Sequence, residues 1–237
     1  MALYAIEAQV DIPNAVMDQL SQFKSDKTPL VLGVTGTGGA GKSSLVDELI
    51  QRLLNSYPEI KIGVVCVDLS KRKTGGSLLG DRIRMNSLSR PGVYMRSIAS
   101  RGSGSEIAGA LPKVLEFLKG YQFDLVIAET SGIGQANVAI TEVSDKSLYV
   151  MTSEFGAQSQ LEKIDMIDFA DLIAINKADH RGSQDALRDV RKQYKRSRKV
   201  FEAKDSEIPV HLTQAAQFND LGVNNLFFEM TDVLSQA

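Results

Sequence analysis

The chain is 237 residues long, carries a net charge of −2, and is 43% hydrophobic and 24% charged. These are ordinary globular values, and the near-neutral charge creates no field that would draw the whole molecule to nucleic acid or to an acidic membrane. The length suits a single large α/β domain that needs no staple to be stable.

Taken in chain order, residues 1–28 carry scattered apolar positions (Ile6, Val10, Ile12, Val16, Leu20, Phe23) around Pro13. They read as an N-terminal arm or linker ahead of a domain over 29–237. From Leu30 onward, apolar β-branched runs at 30–34, 62–67, 93–95, 125–128, 148–151, 172–175 and 210–212 have the pattern of buried parallel strands. Helical periodicity separates most of them, at 42–54, 106–118, 158–169, 184–196 and 223–234. This alternation predicts an α/β fold with a mostly parallel central sheet and helices on both faces. A Gly- and charge-rich stretch, 69–92, interrupts it and is longer than a structural connection needs, so it reads as a switch. The basic run 192–199 is read as a solvated helix face. Cys66 is the one cysteine and lies in an apolar run, so no internal disulfide forms. With no signal-peptide pattern at the N-terminus and no apolar run approaching a membrane span, the expected location is cytoplasmic.

Gly36-Thr37-Gly38-Gly39-Ala40-Gly41-Lys42-Ser43 follows a strand and opens a helix, the context a phosphate-binding loop requires. Glycines let the backbone N–H groups turn toward phosphates, and the helix N-terminus adds partial positive charge. The phosphate set is Gly38, Gly39, Ala40, Gly41, Lys42, Ser43 and Ser44, with Lys42 reaching the β- and γ-phosphates and the Ser43 hydroxyl reaching Mg²⁺. Two strands end in acids, Asp68 and Glu129, at the strand tips where ligands collect in open α/β sheets. Asp81 in the long loop is a further metal-side candidate, and Gly132 can bring its N–H to the γ-phosphate. The metal set is therefore Ser43, Asp68, Asp81 and Glu129, and the catalytic set is Lys42, Glu129 and Asp81.

Asn176-Lys177-Ala178-Asp179 follows the strand at 172–175 as a guanine loop does. A carboxylate at Asp179 accepts from guanine N1–H and N2–H, donors that adenine lacks. Thr213 and Ala215, after the last strand, are placed to complete the base pocket. His180 and His211 lack metal-ligand spacing and are expected to be structural or surface residues.

Beyond these motifs, Glu129-Thr130-Ser131-Gly132-Ile133-Gly134-Gln135 and Thr74-Gly75-Gly76-Ser77-Leu78-Leu79-Gly80-Asp81 resemble the MeaB-type G proteins of the SIMIBI class, and within them the G-protein domains of fused isobutyryl-CoA mutases. Glu154-Phe155-Gly156-Ala157 and Gln217-Phe218-Asn219-Asp220 extend the resemblance, which runs from about Thr28 to the C-terminus. It implies a GTP-hydrolysing metallochaperone, with GTP/GDP and Mg²⁺ as ligands. The implied partners are an adenosylcobalamin-dependent acyl-CoA mutase, through its cobalamin-binding subunit, and an adenosyltransferase. A further switch segment is implied around 152–165. No D-x-H-x-x-G cobalamin signature is present, so the expectation is a protein acting in trans on a separate mutase, or an excised domain, with the stand-alone reading favoured. Slow intrinsic hydrolysis is expected, because Gln135, Lys71, Arg72 and Lys73 offer no clear base for the water. Two rival readings stay open: a nucleotide-dependent clamp whose turnover is incidental, and a nickel-enzyme maturation GTPase. Against the latter, one cysteine and two separated histidines make a poor soft-metal set.

Overall fold

Seven apolar runs form the seven strands of one sheet in the computed structural model, which describes residues 2–8, 10–69, 85–100, 109–130, 138–155, 161 and 164–237. The strands are β1 (Leu30–Gly36), β2 (Ile62–Leu69), β3 (Val93–Ser100), β4 (Leu125–Glu129), β5 (Lys146–Met151), β6 (Leu172–Ile175) and β7 (Val210–Leu212). Their order is β3-β2-β4-β1-β5-β6-β7, with every pair parallel. β1 is central, flanked by β4 and β5, so the loop leaving its C-terminal end is surrounded by the tips of other strands.

The helices are α1 (Ala2–Ala8), α2 (Asn14–Ser21), α3 (Lys42–Ser56), α4 (Leu111–Lys119), α5 (Met166–Phe169), α6 (Ser183–Arg198) and α7 (Leu221–Ser235). Alternate residues of each strand face opposite layers, as a pleated strand dictates. Leu32, Val64, Ile127, Leu148 and Leu172 join Leu45, Leu49 and Leu53 of α3 and Val223 and Met230 of α7 in one core. Val31, Val65, Val126, Tyr149 and Ile173 join Leu115 of α4, Ile167 of α5 and Val190 of α6 in the other. Burial on both faces explains why the central strands are continuous apolar runs. Each fully buried Leu or Ile here contributes about 1.5–3 kcal/mol.

Local sequence sets the helix limits. α3 ends at Ser56 because Tyr57 precedes Pro58 and leaves the helical region (φ −133°, ψ 81°). One turn after Ser43, the buried Asp47 carboxylate accepts from the backbone N–H groups of Asn86 (3.0 Å) and Ser87 (2.8 Å), holding the turn that precedes β3. α4 begins at Leu111 with Pro112 in its first turn, later than the expected start at 106; residues 106–108 lie outside those described. The expected helix at 158–169 is not continuous, since Ile164 is non-helical and only Met166–Phe169 form α5 as described. β3 runs five residues past its expected end, a polar outer strand whose Arg96 and Ser97 hide the apolar signal. The basic run closes α6, where its charge suits the helix C-terminus. There Lys195 pairs with Asp205 at 2.7 Å and Arg198 donates to Ala170 O at 2.9 Å. No helix among the described residues is long and apolar enough to cross a membrane.

Candidate functional site at the strand tips

The loop between β1 and α3 is shaped by three glycines with positive φ, at Gly36 (+148°), Gly39 (+73°) and Gly41 (+85°). At Gly36 a Cβ would fall 1.8 Å from Val150 O of β5, and at Gly41 one would fall 2.6 Å from Asn176 Nδ2. Around Gly39 a Cβ would meet nothing within 4 Å, and Gly38 and Gly39 are exposed. The loop thus lies tight against the sheet at both ends and opens at its middle. Ala40 is buried and Ser44, in the first turn of α3, is exposed. Thr37 N donates to Val150 O at 3.1 Å, while the buried Thr37 hydroxyl has no partner among the described residues. Lys42 is only 7% exposed, and its ammonium group donates to Gly36 O (3.3 Å) and Thr37 O (3.1 Å). The charge is held across the mouth of the loop, beside a helix N-terminus whose partial positive end favours anions.

Beside the loop, Ser43 Oγ donates to Glu129 Oε1 at 2.7 Å. Parallel register pairs Glu129 with Cys66 on β2, and the Cys66 thiol donates to Glu129 Oε2 at 3.8 Å. Cys66 is therefore a core residue, as its apolar setting predicts, with a polar contact that sequence did not reveal. Thr130 begins the next segment with N–H to Val34 O (2.9 Å) and hydroxyl to Thr35 Oγ1 (2.8 Å). The backbone of Asp68 lies within β2 rather than after it; the Asp68 side chain, Asp81 and Gly132 lie outside the described residues. No group of three or more His, Cys, Asp or Glu suited to a metal ion occurs among the described residues. The donors that do converge, one hydroxyl and one carboxylate, are hard oxygens. They fit Mg²⁺, which takes one or two protein ligands and fills its shell with phosphate and water.

On the other side of the loop, Asn176 joins three segments. Its Nδ2 donates to Ala40 O (2.8 Å), and its Oδ1 accepts from Thr213 Oγ1 (3.2 Å) and Ala215 N (3.1 Å). Lys177 adopts φ +59°, and Ala178 N donates to Thr213 O at 3.0 Å. Asp179 is exposed at the rim. Asp220 Oδ1 accepts from Gln214 N (3.0 Å) and Val223 N (2.8 Å), closing the loop after β7 and capping α7. Asp220 was not among the candidate residues, although an acid at a helix start is the signal that finds it. His211 Nε2 lies 2.6 Å from Glu229 Oε2, and His180 is exposed.

A phosphate-type loop, a hydroxyl–carboxylate pair and an Asn-Lys-x-Asp loop stand side by side on parallel strand tips, and together they define a P-loop GTPase. The comparisons agree on the fold. The structure titled LAO/AO transport system kinase superposes with a TM-score of 0.62 at 21% identity, over 98% of this chain and 70% of that one. HypB from Helicobacter pylori, solved in complex with nickel, gives 0.63 at 15%, over 100% and 96%. The chain belongs to the MeaB family, matching the family described as methylmalonyl Co-A mutase-associated GTPase MeaB over residues 7–236. It is 59% identical over 218 residues to a fused isobutyryl-CoA mutase of Geobacillus kaustophilus, covering 92% of this chain and 20% of that protein. The chain therefore spans about a fifth of the length of the fused isobutyryl-CoA mutases it matches.

Proposed function

We propose that this chain is a GTP-hydrolysing chaperone that gates loading and repair of adenosylcobalamin in an acyl-CoA mutase of the isobutyryl-CoA mutase type. The observation that carries the reading is Asn176 bonded to the phosphate loop on one side while Ser43 and Glu129 meet on the other. Identity with fused isobutyryl-CoA mutases supports the choice of partner. The protein works in the cytoplasm, engages the cobalamin-binding subunit and accepts cofactor from an adenosyltransferase. Residues 1–28 serve as an arm on a GTPase domain over 29–237.

GTP lies with its phosphates against Gly38, Gly39, Ala40, Gly41, Lys42, Ser43 and Ser44, and with its base between Asn176, Lys177, Asp179, Thr213 and Ala215. Lys42, already held across the loop, moves from the Gly36 and Thr37 carbonyls to the phosphate oxygens and stabilises the charge that develops as water attacks the γ-phosphate in line. Ser43 and Glu129, with Asp68 and Asp81, would hold Mg²⁺, which would neutralise charge on the phosphates. Gly132 reports the γ-phosphate through its N–H. Catalysis by the chain's own groups then rests on Lys42, Glu129 and Asp81, and turnover is slow until the mutase docks.

Calorimetry tests the core of this reading. Magnesium-dependent binding of GDP and GTP is expected, with ATP held at least a hundredfold more weakly; equal affinity for ATP would overturn it. A loading assay with a separate mutase then tests the partner. Full loading under a non-hydrolysable GTP analogue, equal to that with GTP, would favour the clamp.

A further inference from the structure

The side chain of Phe218 is 94% exposed. An exposed aromatic alone means little, but the loop that carries this one is tied down on both sides. Asn219, at φ +52°, has its Oδ1 bonded by Asn224 Nδ2 (3.0 Å), and Asp220 ties the loop to Gln214 N and to the start of α7. Gln217 N donates to Gln214 O at 2.9 Å. Phe218 thus lies in a tethered loop whose root, Thr213 and Ala215, is bonded to Asn176. The side chains assigned to the base there include no aromatic ring.

We propose that Phe218 is the stacking residue for the nucleobase, folding onto the face of guanine while Asp179 reads its edge. This rests on the guanine-nucleotide reading above. A purine has two large faces, and an aromatic ring on a rigid loop covers one of them with little loss of side-chain freedom. Stacking is blind to the base edge, so it adds affinity without specificity.

The chain contains no tryptophan, so Phe218→Trp supplies a single reporter. Saturating GDP is expected to shift or quench its emission. Phe218→Ala should weaken GDP and inosine diphosphate by the same factor, roughly five- to thirty-fold, and leave the affinity for pyrophosphate unchanged. Phe218→Leu should fall between. Equal GDP affinity in wild type and Phe218→Ala, or an emission that ignores GDP, would overturn the stacking role while leaving the guanine pocket intact. Failure of the unsubstituted chain to bind GDP at all would overturn both.

Discussion

The Asn176 side-chain amide donates to the Ala40 carbonyl at 2.8 Å, so the loop after β6 and the loop after β1 share one hydrogen bond. Its other end accepts from Thr213 and Ala215, so a single side chain closes the space between base and phosphate sides. Asn176→Ala would strand a buried carbonyl, a hydroxyl and an N–H. The expected loss is about 2–4 kcal/mol of unfolding free energy, measured by urea denaturation without nucleotide. An unchanged midpoint would show that these groups find other partners.

Two glycines of the same loop should respond very unequally to an added methyl group. Gly36→Ala drives a Cβ into Val150 O and is expected to cost at least about 3 kcal/mol. Gly39→Ala meets open space and bears only its positive φ, a cost of about 1 kcal/mol. Denaturant midpoints of the two variants against wild type decide the order.

Glu129→Gln keeps the shape of the side chain and removes its charge. GDP affinity in magnesium relative to EDTA should fall by about tenfold or more, with affinity in EDTA little changed, because a carboxylate serves a hard cation far better than an amide. Ser43→Ala should act in the same direction. Unaltered magnesium dependence in both would remove Glu129 and Ser43 from the metal side.

Asp179 sits exposed at the rim of the base loop, so its replacement leaves the core untouched. Asp179→Asn should weaken GDP by about a hundredfold or more and gain affinity for xanthosine diphosphate, whose edge presents an acceptor where guanine presents its amino group. Competition binding with both nucleotides reads the exchange directly.

Much of this was legible in advance, and the physical reason is burial. Strands covered on both faces must be apolar throughout, so all seven stood out as β-branched runs, and β1, β4 and β6 carried their motifs at their ends. β3 showed only its first residues, because an outer strand tolerates Arg96 and Ser97. The helix expected over 158–169 is interrupted at Ile164, because a helical apolar spacing says nothing about a local break in the turn. Within the site, residue types and spacing pointed to Lys42, Ser43, Glu129 and Asn176. They could not show that Cys66 faces Glu129, which depends on the register of β2 against β4, nor that Asn176 reaches Ala40.

The hold of Asp47 on Asn86 and Ser87 has a mechanical consequence. The helix that starts at the phosphate loop is clamped, little more than a turn later, to the connection feeding the outermost strand. A tilt of α3 must therefore either carry the turn before the outermost strand with it or break these two hydrogen bonds.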